Sequence, residues 1–158
     1  MRATARDIMT TRFDTISEDA PVLEAARLIL AGRVRDSGHK TVSLLVTSPS
    51  GDFAGMISML DILYQIRPPF ADYLLEDLDM DPNETPIYVE RFKGMTVGQV
   101  MNSPVPTVSP DANILKMADL MAKKRVRNLP VVEDSRVLGI VYLSEVYNHL
   151  CRSWLGLS

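Results

Sequence analysis

Cysteine is nearly absent from this chain: Cys151 is the only one among 158 residues. That excludes an intramolecular disulfide and a zinc site built on thiolates. Aromatic residues make up only 6% of the chain and the net charge at neutral pH is −3. Neither stacking platforms nor an overall basic field marks a nucleic-acid binder, so nucleic acid is not an expected partner. No apolar run approaches a membrane span, and membrane insertion is not expected. The two histidines, His39 and His149, lack ligand spacing and read as surface residues, so no metal is expected. No nucleophile–base pair and no Walker-type glycine loop is present. No catalytic residue is therefore assigned, and the chain reads as a non-enzyme. Cys151, beside Leu150, Trp154 and Leu155, reads as packing. The start, Met1 to Asp7, leads into no signal-type apolar core, and a cytoplasmic location is the expectation.

What is present is ordinary for a globular protein, 46% hydrophobic and 23% charged, but it is arranged twice. Phe13 to Ile16 reads as a short extended segment. Asp19-Ala20-Pro21 predicts a helix start, with Asp19 as N-cap and Pro21 in the first turn. Val22, Leu23, Ala26, Leu28, Ile29 and Leu30 give a broad apolar face, which predicts a largely buried helix ended by Gly32. After a polar loop from Arg33 to Lys40, Thr41 to Thr47 predicts a buried strand. Pro49 to Asp52 supplies a turn. Phe53 to Ile57 returns as the other strand of a hairpin, and Met59 to Ile66 is a short helix.

The second half repeats this order. Thr107-Val108 stands where Thr15-Ile16 stood, and Asp111-Ala112-Asn113 repeats the helix start. Ile114, Leu115, Met117, Ala118, Leu120 and Met121 repeat the apolar face. Leu129 to Val132 matches Ser43 to Val46, and Val137 to Val141 matches the strand ending in Gly55-Met56-Ile57. Ile8-Met9-Thr10 and Val100-Met101-Asn102 open the two halves alike. The organisation is thus 1–66 as a first repeat, 67–94 as an acidic, proline-containing linker, and 95–158 as a second repeat with a C-terminal helix. The fold class is α/β (α+β): two tandem β-α-β-β-α repeats, expected to pack sheet to sheet with pseudo-twofold symmetry, since neither is large enough to bury both faces alone. In the linker, Phe70 to Leu78 predicts a short helix. Asp79, Asp81, Asn83 and Glu90 have calcium-loop spacing, but Glu84 stands where the loop needs glycine and Pro86 stiffens it, so the linker reading is preferred.

Ser58-x-x-Asp61 follows the strand ending in Ile57. It has capping-box spacing, and the same arrangement can hold a nucleotide, with Ser58 on phosphate and Asp61 on ribose. Both readings stay open from the residues alone. Lys123 to Arg127 is the one basic cluster, either a cation-complemented helix end or, through Arg125 and Arg127, a phosphate-neutralising pair. Arg33, Arg35, His39 and Lys40 form the corresponding loop of the first half, a solvated loop or a flap. The methionines, Met9, Met56, Met59, Met101, Met117 and Met121 among them, read as adaptable filler. Leu143, Val146, Tyr147, Leu150 and Trp154 line one helical face, read as a subunit interface.

The paired units, each closing on glycine, two apolar residues, a hydroxyl position, two spacers and an acid, resemble a pair of CBS (cystathionine β-synthase) domains, a Bateman module. The resemblance runs from about Thr4 to Cys151. It implies clefts between the repeats for an adenosine-containing regulatory ligand (AMP, ADP, ATP or S-adenosylmethionine), with no cofactor required. It also implies pairing into a homodimer and signalling to an effector protein. Carried over by position, Ser58 takes phosphate, Asp61 takes ribose, and Thr15, Ile16, Leu44 and Leu45 line the adenine pocket. The second copy departs from the pattern: Tyr142 replaces the small hydroxyl and Glu145 the aspartate, so Thr107, Tyr142 and Glu145 mark a degenerate or altered second site. The alternative is a degenerate pair kept as a dimerisation scaffold without a ligand.

Overall fold

The computed structural model describes residues 3–35, 38, 40–66 and 85–157. His39, the helix expected over 70–78 and the acidic spacing that starts at Asp79 lie outside the described residues. The chain divides into two compact units. Unit 1 gathers Met1–Phe13, Gly51–Phe53 and Pro104–Ser158; unit 2 gathers Asp14–Ser50 and Ala54–Ser103. These units cut across the sequence repeats, because each contains the lead-in segment of the other copy.

Unit 2 holds β1 (Thr15–Ser17), α2 (Val22–Ala31), β2 (Ser43–Thr47), β3 (Phe53–Ser58), α3 (Met59–Gln65), α4 (Thr85–Lys93) and α5 (Val97–Val100). Its three strands run in the order β1-β2-β3, with β1 parallel to β2 in the register Thr15–Leu45, Ile16–Val46 and Ser17–Thr47. Ile16, Val22, Ala25, Ile29, Leu44, Val46 and Ile57 form its core together with Phe92, Val97 and Val100. The stretch read as a linker therefore ends in a helix, α4, that is anchored through buried Phe92.

Two expectations for α2 are corrected. Its N-cap is Pro21, not Asp19. The Val22 N–H donates to the Met95 carbonyl at 3.0 Å, so the lead-in of the second copy satisfies the first turn and a side-chain cap is not needed. Nor is α2 buried broadly. Val22, Ala25 and Ile29 face inward at helical spacing, while Leu30 is 81% exposed and Leu28 is also exposed.

Unit 1 holds α1 (Ala5–Ile8), α6 (Ile114–Lys124), β4 (Asn128–Glu133), β5 (Arg136–Tyr142) and α7 (Leu143–Trp154). Strands β4 and β5 form an antiparallel hairpin with a bulge at Val131/Val132. Its turn residues Asp134 and Ser135 have φ of 51° and 65°, the left-handed pair of a two-residue hairpin loop. Thr107-Val108 does not form a strand like β1. It contributes one parallel bridge, Val108 to Val131. Pro106 and Pro110 flank it and Pro130 faces it, all lacking the N–H a longer ladder requires. As in α2, the inward face of α6 is narrow: Ile114, Met117 and Met121 are buried and Leu115 is exposed.

The lead-ins are docked alike in the two units. Met56 and Asn102 exchange two backbone hydrogen bonds (3.1 and 2.7 Å), and so do Thr10 and Ile140 (2.8 and 3.0 Å). Glycine precedes the receiving residue both times. A Cβ on Gly55 would stand 2.6 Å from the Asn102 carbonyl oxygen, and one on Gly139 would stand 2.8 Å from that of Thr10. Both lead-in helices open on capping boxes, Thr4 with Asp7 and Thr96 with Gln99.

Candidate functional site

Strand β3 delivers Ser58 to the start of α3, where extended backbone at Ser58 turns into helix. The cap is reciprocal. Ser58 Oγ accepts from the Asp61 N–H at 3.3 Å, and Asp61 Oδ2 accepts from the Ser58 N–H at 2.8 Å and from Ser58 Oγ at 2.9 Å. All of the carboxylate's bonds fall on Oδ2; among the described residues, Oδ1 accepts none. The Met59 N–H donates to the Val42 carbonyl at 2.9 Å, tying the start of α3 to the chain ahead of β2.

The same unit holds the four residues expected around an adenine ring. Thr15 is exposed, whereas Ile16, Leu44 and Leu45 are buried. Leu44 enters the core of unit 2 beside Ile16, and Leu45 points to the other face of the strand by alternation. The Leu45 N–H donates to the Asp14 carbonyl at 3.3 Å. Asp14 carries a further constraint that sequence reading missed. Arg33 grips its carboxylate with two bonds, 2.7 and 3.2 Å, joining the loop after α2 to the start of β1. That hydrogen bonding holds the Asp14 carboxyl below its ordinary range, against a smaller opposing effect of burial. No local spacing signals a pair so distant in sequence.

The remaining candidates belong to unit 1. Tyr142 ends β5 as a buried residue and serves as N-cap of α7 without a side-chain cap bond. Glu145 occupies the helical position that Asp61 holds in α3, so the second copy keeps the acid and loses the reciprocal cap. Thr107 is exposed. Arg125 ends α6 in the left-handed region, φ 56° and ψ 40°. The Arg127 carbonyl accepts from the Leu143 N–H at 2.8 Å, as that of Val42 does from Met59. Both arginines are among the residues lining a groove beside α6 and α7. Among the described residues, no three His, Cys, Asp or Glu side chains are grouped to hold a metal ion. No described helix is long and apolar enough to cross a membrane.

Two copies of one helix–hairpin–helix plan, preceded by a strand in the first copy and by a single bridge in the second, and each latched to the other's lead-in by a glycine-backed bridge, define a tandem α/β repeat module. The chain belongs to the CBS-domain family, whose model matches residues 5–68 and 97–152. It is 27% identical over 139 residues to a homoserine O-acetyltransferase of Methanocorpusculum labreanum, covering 87% of this chain and 22% of that protein. It is likewise 27% identical over 143 residues to an uncharacterized protein of Methanocaldococcus jannaschii, covering 90% of this chain and 31% of that one. The chain thus spans less than a third of the length of either relative. Hypoxic response protein 1 of Mycobacterium tuberculosis is 26% identical over 147 residues, covering 93% of this chain and 85% of that protein. Among solved structures, the CBS domain of a CBS-domain-containing membrane protein from Sphaerobacter thermophilus matches with a TM-score of 0.68 at 25% identity, covering 93% and 87% of the two chains. CBSX2 in complex with AMP matches at 0.68 and 21% identity, covering 96% and 98%. The cytosolic domain of the Mg2+ channel MgtE in complex with ATP matches at 0.66 and 22% identity, covering 94% of this chain and 49% of that one.

Proposed function

We propose that this CBS pair is a regulatory module whose first repeat binds an adenosine-containing ligand at Ser58 and Asp61. The observation that carries the reading is the division of labour on Asp61. Its Oδ2 closes the cap, and its Oδ1 is left as an acceptor for ribose hydroxyls without the helix start having to come apart. To hold phosphate, the Ser58 hydroxyl redirects the proton it now gives to Asp61 Oδ2, while the two backbone N–H bonds of the cap stay in place, and backbone groups around Thr15, Ile16, Leu44 and Leu45 read the base. The AMP and ATP bound by two fold relatives support the ligand class. The second copy, with Tyr142 and Glu145, does not hold the same ligand. The protein does no chemistry of its own. It passes a ligand-dependent preference between arrangements to an effector polypeptide, which requires the ligand to favour one arrangement.

A second reading, a dimerisation scaffold, is favoured by the completeness of the Ser58–Asp61 cap, which accounts for both residues without a ligand. Calorimetric titration with AMP, ATP and S-adenosylmethionine, together with thermal unfolding, separates the two. A ligand present at a hundred times its Kd adds about 2.7 kcal/mol of stability. Asp61→Asn keeps an oxygen for the cap and removes the charge facing ribose, so it is expected to retain stability and lose that ligand response. A folded wild-type protein that responds to none of the three overturns the sensor reading.

A further inference from the structure

A run of hydrogen bonds joins the two ends of the candidate nucleotide site by way of the loop after α2. At the ribose end, the Met59 N–H beside Ser58 donates to the Val42 carbonyl at 2.9 Å. The preceding residue, Thr41, gives both its N–H and its hydroxyl to the Arg33 carbonyl, at 2.9 and 3.3 Å. The Arg33 guanidinium in turn forks onto Asp14, Nη2 to Oδ1 at 2.7 Å and Nε to Oδ2 at 3.2 Å. Asp14 directly precedes Thr15, and its own carbonyl accepts from the Leu45 N–H at 3.3 Å, at the base end. Strand β1 is three residues long, so few ladder bonds of its own fix its start. The two side chains of the fork are 41% and 37% exposed, where an ion pair contributes little to stability. What a bidentate fork supplies there is direction.

We propose that Asp14 and Arg33 are positioning residues of the first repeat, a brace that sets the base-reading edge at Thr15 and Leu45 against the ribose-holding Asp61. The inference rests on the nucleotide reading above and assigns neither side chain a contact with the ligand. A nucleoside has to meet both ends of its site at once. A site whose ends are already held at the right separation has less to order when the ligand arrives. The second copy keeps the ribose-end link, the Leu143 N–H on the Arg127 carbonyl, and lacks the brace. Pro106, which has no carboxylate, stands where Asp14 stands, and residues 125–127 take the place of 32–42 between helix and strand. The brace thus belongs to the copy that carries Ser58 and Asp61.

The test is isothermal titration of the full chain with AMP and with adenosine. Arg33→Met removes the fork and keeps the apolar length of the side chain. It is expected to weaken both ligands by the same factor, about tenfold, with circular dichroism and cooperative unfolding retained. Arg33→Lys keeps the charge without the fork and is expected to fall between Arg33→Met and wild type. Asp14→Asn combined with Arg33→Met is expected to bind no more weakly than the weaker of the two single variants, because one brace is lost once. Unchanged AMP and adenosine affinities in Arg33→Met overturn the proposal, as does full additivity in the double variant. So does a loss confined to AMP, because Arg33 then meets the phosphate directly. Those results leave the nucleotide reading standing. A wild-type protein that binds neither AMP nor adenosine overturns that reading and the brace with it.

Discussion

Replacing Gly55 by alanine tests whether the lead-in of the second copy is held by close backbone approach. The new Cβ would lie 2.6 Å from the Asn102 carbonyl oxygen, 3.2 Å from Met101 Sδ and 3.2 Å from Ser103 Cβ. The methionine sulfur can swing away, but the carbonyl cannot. It has to retreat by roughly 0.8 Å to reach ordinary contact. That oxygen accepts from the Met56 N–H at 3.1 Å already, so the retreat breaks the bond and strains its 2.7 Å partner from the Asn102 N–H to the Met56 carbonyl. Two backbone hydrogen bonds at about 1 kcal/mol each, and loosened burial of Val97 and Val100 behind them, set the loss. Alanine recovers about 0.4–1 kcal/mol by stiffening the unfolded chain. The net expectation is about 1.5–3 kcal/mol of destabilisation in urea denaturation, accompanied by faster hydrogen exchange at Met56 and Asn102. Gly94→Ala is the control: its Cβ would meet nothing nearer than the Arg91 carbonyl at 3.7 Å, and a change within about 0.5 kcal/mol is expected. A Gly55→Ala protein with wild-type stability and intact amide protection at Met56 and Asn102 would refute the reasoning.

Two further predictions concern electrostatics and the hairpin turn. Arg33 depresses the Asp14 carboxyl, so its stabilisation is fully present above the unfolded-state value and is lost as pH falls through the lower folded-state value. In urea titrations, Asp14→Asn should cost under about 1 kcal/mol at pH 7, the pair being partly exposed, and the gap from wild type should close below about pH 4. A gap unchanged at pH 3 would contradict the assignment. Ser135 holds φ of 65° at the second turn position between β4 and β5, so Ser135→Gly should stabilise the protein by about 1 kcal/mol in thermal or urea unfolding. Destabilisation would mean that its side chain matters.

The elements most visible in the sequence are those whose signals are local. Ser58 and Asp61 sit three apart and close the box their spacing announces, and Gly32 ends α2 as expected. The apolar periodicity located α2 and α6 but overstated their inward faces. Periodicity counts Leu30 and Leu115 as apolar without knowing which side of the helix has a neighbour. Residue type alone makes Asp19 a suitable cap. It is displaced because Met95, remote in sequence, supplies the acceptor that the Val22 N–H needs. The same limit hides the grip of Arg33 on Asp14 and the lead-in exchange, whose glycine signals at Gly55 and Gly139 are legible only once their partners are known. At the candidate site the asymmetry between Ser58 and Tyr142 was legible. The closing of Asp61 Oδ2 onto Ser58, with Oδ1 left over, is a matter of ångströms and was not.

The glycine-backed latches also order events in time. During synthesis the lead-in carrying Thr10 is made well before the strand that receives it, with Ile140. The lead-in carrying Asn102, by contrast, meets a receiving strand, β3, that is already synthesised. Unit 2 can therefore close while the chain is still growing, whereas unit 1 must wait with an apolar segment in hand. A non-local closure of that kind is slow and leaves surface exposed until it completes. Cutting the chain between the sequence repeats would not yield two small domains. It would yield two fragments, each lacking the piece that the other carries.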